Sequence, residues 1–99
     1  MASFPLRAVY IKKERAQGEA PVQILVSVPK KRFKQAVDRN RVKRQVREAF
    51  RQHKELLYGA LAEHEQLLLA FIWLSDEHRP SRDVESRVVS LMQRVAEKL

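Results

Sequence analysis

The stretch Leu67–Leu74, LLLAFIWL, is apolar at all eight positions, and what it forms decides the fold. Periodicity alone leaves strand and helix open, because an unbroken apolar run shows neither alternation nor a helical stripe. Length favours the strand, and a continuous apolar strand is the pattern of one covered on both faces. The same run is too short to span a bilayer, and no charged-then-apolar signal precedes the first strand. A soluble, intracellular, cytoplasmic protein is therefore expected, with no membrane partner.

Upstream, Leu6–Ile11 (LRAVYI) reads as a strand with Leu6, Ala8 and Tyr10 on one face. Lys12–Pro21 is charged and holds Gly18, so it reads as a loop. Val22–Val28 (VQILVSV) is rich in β-branched residues and reads as a second strand, ended by Pro29. These two strands are expected to be hairpin neighbours. Between them and the apolar run, Asp38 is a candidate N-cap, followed by Val42, Val46, Ala49, Phe50 and His53 at helical steps. That helix continues through Leu56 and Leu57 to a stop at Gly59. Downstream, His78–Pro80 makes a turn and Ser81 is a candidate N-cap. Val84, Val88, Leu91, Met92, Val95 and Leu99 then draw the stripe of a final helix. The order strand, strand, helix, strand, helix implies an α/β (α+β) two-layer sandwich, a small, mainly antiparallel sheet packed with helices. Ninety-nine residues are expected to form a single domain, 1–99, with no internal repeat.

Several chemistries are excluded. The chain has no Cys, so thiolate metal sites, disulfides and thiol nucleophiles are absent. His53, His64 and His78 lack the one-turn spacing of a helical zinc site and read as ordinary surface or boundary residues. Asp76 and Glu77 are adjacent and cannot share a helical face, so paired-carboxylate catalysis has no support. No catalytic residue and no metal ligand is expected on this chain.

Charge is the remaining signal. Lys30–Lys54, KKRFKQAVDRNRVKRQVREAFRQHK, holds eleven Lys or Arg against two acids, a net of +9 in a chain whose total is +8. The rest is nearly neutral, so the excess is concentrated as on a surface built for a polyanion. On the helix, Asn40, Arg44, Arg47 and Arg51 fall along one face, flanked by Arg39, Arg41 and Lys43. Lys30, Lys31, Arg32 and Lys34 lie just before it. Like charges at i,i+4 each cost a few tenths of a kcal/mol, roughly 0.2–0.5, and only Glu48 relieves them among these turns. A passive exposed helix interleaves Glu with Lys, whereas Arg predominates here, and its fork suits phosphate oxygens. A solvated basic face is the bland alternative. No helix-turn-helix, RNP aromatic motif, GXXG loop or zinc knuckle separates DNA from RNA. The residues alone stop at a folded or duplex polyanion bound through a helix, with a structural RNA-binding protein of ribosomal type and a DNA-binding regulator among the readings they leave open.

The segment Lys30-Lys31, Ala36-Val37-Asp38-Arg39-Asn40-Arg41-Val42-Lys43-Arg44 and Arg47-Glu48-Ala49 resembles the signature of the bacterial ribonuclease P protein family, a KK pair and then AV-x-RNR-x-KR-x-x-RE-A. The order of elements over Leu6–Leu99 fits as well. The resemblance implies the sandwich seen in the second domain of the fifth small-subunit ribosomal protein, with a left-handed β-α-β crossover. It implies an accessory subunit of an endoribonuclease that removes the 5′ leader from precursor tRNA. The catalytic RNA subunit carries out hydrolysis with magnesium, and the protein binds no cofactor itself. RNA contacts carried over are Arg39, Asn40, Arg41, Lys43, Arg44 and Arg47, with Lys30 and Lys31 nearby. The partners implied are that RNA and precursor tRNA, with no protein partner. Tyr10 sits where the family places an aromatic in the leader cleft, and a half-buried strand residue is the alternative reading. Phe4 and Trp73 read as packing groups. Two departures are visible. The family's N-terminal helix with aromatics is expected to be lacking, and Arg32-Phe33-Lys34 stands where a Gly is usual.

Overall fold

In the computed structural model, which describes residues 1–99, the apolar run forms the heart of β4 (Glu65–Trp73), an inner strand of a four-stranded sheet. The other strands are β1 (Ala2–Ser3), β2 (Leu6–Glu14) and β3 (Val22–Ser27), and the order across the sheet is β1-β2-β4-β3. The helices are α1 (Ala36–His53), the short α2 (Glu55–Tyr58) and α3 (Ser81–Lys98). The expected two-layer α+β sandwich is therefore the observed one.

β2 and β3 are not hairpin neighbours. β4 lies between them, antiparallel to β2 (Tyr10 opposite Leu69) and parallel to β3 (Ile24 opposite Leu69). The physical reason is the composition of β4. A strand with apolar residues at every position loses most by lying at an edge, so it takes a neighbour on each side. β3 leaves Gln23 and Leu25 exposed and occupies the edge. Two of the three pairings are antiparallel. The parallel β3–β4 pair is joined through α1 and α2, a β-α-β crossover.

The second correction concerns coverage. Leu67, Leu69, Phe71 and Trp73 are buried, while Leu68, Ala70 and Ile72 between them are only half-buried. Helices cover one face of β4 and the other face is open. On the covered face, α1 contributes Val42, Val46 and Ala49, and α3 contributes Val84, Val88, Leu91, Met92 and Val95. Each large side chain buried here contributes about 1.5–3 kcal/mol. β2 also runs further than its apolar pattern, through Lys12, Lys13 and Glu14, because backbone pairing with Leu67, Gln66 and Glu65 continues at the charged end. Lys12 Nζ there meets Glu65 at 2.9 Å.

Helix ends differ from the expected caps. α1 begins two residues before Asp38, after an extended Gln35 whose side chain makes no capping bond. Asp38 lies in the first turn, where a carboxylate suits the helix dipole, and binds His78 instead. Ser81 is the first residue of α3, behind Pro80, and its hydroxyl accepts a bond from Gln45 Nε2. Gly59 has ordinary right-handed helical angles, so the short α2 ends without a left-handed cap. Gly18 is the residue with positive φ, +86°, at the turn of the β2–β3 loop.

Candidate nucleic-acid interface

α1 separates its two surfaces cleanly. Val42, Val46 and Ala49 are buried and Phe50 packs beside them, which turns the Asn40–Arg51 face outward. Asn40, Arg41, Arg44, Arg47 and Arg51 are exposed on that helix, and Lys43 is half-buried. Lys30, Lys31 and Lys34 are exposed on the loop that leads into it. The structure thus brings the loop and the helix face together as one cationic surface. None of Lys30, Lys31, Lys34, Arg41, Lys43, Arg44 and Arg47 has an intramolecular ion pair. Unpaired cations at this density are poised for phosphate oxygens.

Three other basic residues are engaged within the protein. Arg39 Nη1 donates to the backbone carbonyls of Phe33 and Lys34, both at 2.9 Å, and so clasps the loop to the first turn of α1. Arg32 Nη1 lies 3.3 Å from Asp76 Oδ1. Arg51 donates to Glu48 from Nε and Nη2, at 3.1 and 2.5 Å. Those hydrogen bonds hold the Glu48 carboxyl below its usual range and raise the Arg51 guanidinium. For these three, the arrangement is one of support as much as of display.

Residues that sequence reasoning passed over complete the surroundings. His78, read as a boundary residue, places Nε2 3.0 Å from Asp38 Oδ1 and stacks its ring on Phe33. Gln45 Nε2 donates to the Arg79 carbonyl at 3.0 Å and to Ser81, tying α1 to the start of α3. These partners are 34 to 45 residues apart in sequence, and no local pattern announces them.

The open sheet face is a second feature. The cross-strand rows Val9–Ala70–Leu25 and Ile11–Leu68–Gln23 floor a shallow groove of about 420 Å³. Val9, Ile11 and Leu25 are 46%, 61% and 63% exposed, high for large apolar side chains. On β2 this strip is bracketed by exposed Arg7 and Lys13, which share its side of the pleat. Tyr10 belongs to the opposite pleat with Leu6 and Ala8, half-buried against the core on the helix side. Its register therefore agrees with the packed-strand alternative. Trp73 is fully buried, as read, whereas Phe4 is 57% exposed with the Arg79 guanidinium 5.5 Å from its ring centre.

Comparisons with known proteins match this geometry. The sequence profile of the family described as Ribonuclease P matches residues 2–95. A Ribonuclease P protein component from Porphyromonas gingivalis is 45% identical over 94 residues, spanning 94% of this chain and 68% of that protein. One from Chlorobaculum tepidum is 48% identical over 59 residues, 54% of this chain and 38% of that protein. The RNase P protein from Thermotoga maritima superposes with a TM-score of 0.62 at 23% identity, over 88% of this chain and 76% of that one, which shows a shared fold. With the family profile covering nearly the whole chain, this protein belongs to the ribonuclease P protein family.

Proposed function

We propose that the chain acts as the RNA-binding protein subunit of ribonuclease P, gripping the catalytic RNA through the Lys30–Lys34 loop and the Asn40–Arg51 face of α1. The observation that carries this is the continuity of the two as one exposed surface, with seven cations free of intramolecular ion pairs. Arg41, Arg44 and Arg47 offer forks to phosphate oxygens, and Asn40 offers an amide that both donates and accepts. In this reading Arg39 and Arg32 shape the loop, and Arg51 reaches RNA by exchanging Glu48 for a phosphate.

The finer part of the proposal is precursor tRNA as substrate. The open strip of β2, β4 and β3 supplies apolar contact for unpaired bases of a 5′ leader, with Arg7 and Lys13 placed for its phosphates. Tyr10 is left to packing. Hydrolysis belongs to the RNA subunit with its magnesium. No group of three or more His, Cys, Asp or Glu is arranged to hold a metal ion. No helix is long and apolar enough to cross a membrane, and a cytoplasmic location, suited to work on precursor tRNA, is part of the proposal.

The test is reconstitution with a bacterial ribonuclease P RNA. At magnesium concentrations too low for the RNA alone, added protein is expected to restore cleavage of precursor tRNA at the 5′ end of the mature sequence. Tight RNA binding without any stimulation would leave a structural RNA-binding role and overturn the proposal.

A further inference from the structure

The turn from Ser75 to Pro80, between β4 and α3, carries no signature residue, yet it touches the basic surface at three points. Asp76 meets Arg32 at 3.3 Å, and His78 Nε2 meets Asp38 Oδ1 at 3.0 Å. The His78 ring lies flat on Phe33, with centroids 4.4 Å apart and planes at 14°. Phe33 sits between Arg32 and Lys34, in the middle of the loop whose cations face solvent. Its carbonyl, with that of Lys34, receives Arg39 from the helix. One aromatic residue of the loop is thus held from two sides, by its ring from the turn and by its backbone from α1.

The loop needs such holding. Lys30, Lys31, Arg32 and Lys34 are close in sequence and repel one another, and residues 32–35 belong to neither strand nor helix. A loop left free would splay its lysines and would have to be ordered when RNA binds, at the expense of affinity. His78 is well suited to prevent this. It is about one quarter exposed, bonds through Nε2 to Asp38, and leaves Nδ1 without a partner, so the ring serves no other network.

We propose that His78, acting with Phe33 and Asp38, is a positioning residue for RNA binding. The stack and the hydrogen bond fix the loop against the first turn of α1, so that Lys30, Lys31 and Lys34 meet the RNA already in line with Arg41, Arg44 and Arg47. This rests on the reading of the loop and helix as the RNA interface.

The test is a set of double-mutant cycles on affinity for the ribonuclease P RNA, using the full chain. His78→Ala is expected to weaken binding roughly three- to tenfold, the scale of one lost hydrogen bond. Combined with Lys30→Ala, Lys31→Ala and Lys34→Ala, it is expected to add less than about twofold, because the side chains it positions are gone. Combined with Arg47→Ala, two turns away, its effect is expected to multiply in full. A purely structural role would not distinguish the two backgrounds. Phe33→Leu, which keeps apolar volume and loses the flat stack, is carried through the same cycles, so that the answer does not depend on His78→Ala folding. No loss of affinity, or a full multiplicative loss in the lysine-free background, would overturn the positioning role while leaving the RNA surface standing. A Lys30→Ala, Lys31→Ala, Lys34→Ala protein that binds like wild type would overturn the reading of the loop, and the positioning role with it.

Discussion

Arg44 is the clearest single residue of the proposed interface, because it is exposed, unpaired and central on the helix face. Arg44→Ala is expected to weaken RNA binding and to lower the slope of log affinity against log salt by about 0.7–0.9, the release of one phosphate's counterion. Binding measured over a salt series reads this directly, and an unchanged slope would remove Arg44 from the interface. Its fold stability is expected to change little, since an exposed arginine without a partner holds nothing in place. At this scale the sequence was informative in part. The outward direction of Asn40, Arg44, Arg47 and Arg51 follows from steps of three and four, a local geometry. The engagement of Arg32 with Asp76 and of His78 with Asp38 joins residues more than 39 positions apart, so nothing near them in sequence encodes it.

The elements themselves rest on the apolar stripes, and α1 depends most on Val46. That side chain is fully buried in the core cluster that α1 shares with the sheet and α3. Val46→Asp is expected to cost about 3–5 kcal/mol, the scale of a buried charge without a partner, or to force the carboxyl to stay protonated. A loss of that size is a large share of the roughly 5–15 kcal/mol available to a small domain. Urea denaturation followed by circular dichroism measures it, and a midpoint equal to wild type would mean that the core stripe of α1 is misassigned. Elements were legible because their periods are local; their caps and neighbours were not. Asp38 looks like an N-cap, yet the helix starts at Ala36 and the carboxylate binds His78 from the distant turn before α3. β2 and β3 look like a hairpin, yet the competition for the two edges of β4 is a property of the whole sheet.

For the whole molecule, the decisive fact is that two long helices pack together on one face of the sheet and leave the other uncovered. A continuous apolar run such as Leu67–Leu74 suggests cover on both faces, but the count of elements contradicts it, since α1 and α3 meet each other and cannot also wrap the sheet. The open face therefore holds Val9, Ile11 and Leu25 in water, an exposed apolar strip of the kind that marks a surface for a partner. Ile11→Ser with Leu25→Ser removes apolar surface from the middle of the strip without touching the core, so the folded state is expected to persist. If the strip receives the 5′ leader, this double variant keeps wild-type affinity for the RNA subunit. It is then expected to lose roughly three- to tenfold in its preference for leader-bearing precursor over mature tRNA, on the order of 1 kcal/mol, below the stacking provided by an aromatic. Tyr10→Ala, on the helix side, is expected to lower stability and to leave that preference unchanged. Parallel binding of precursor and mature tRNA to the reconstituted enzyme separates the two. Equal weakening of both substrates by the serine pair, or a loss of preference with Tyr10→Ala alone, would move the leader away from the open face.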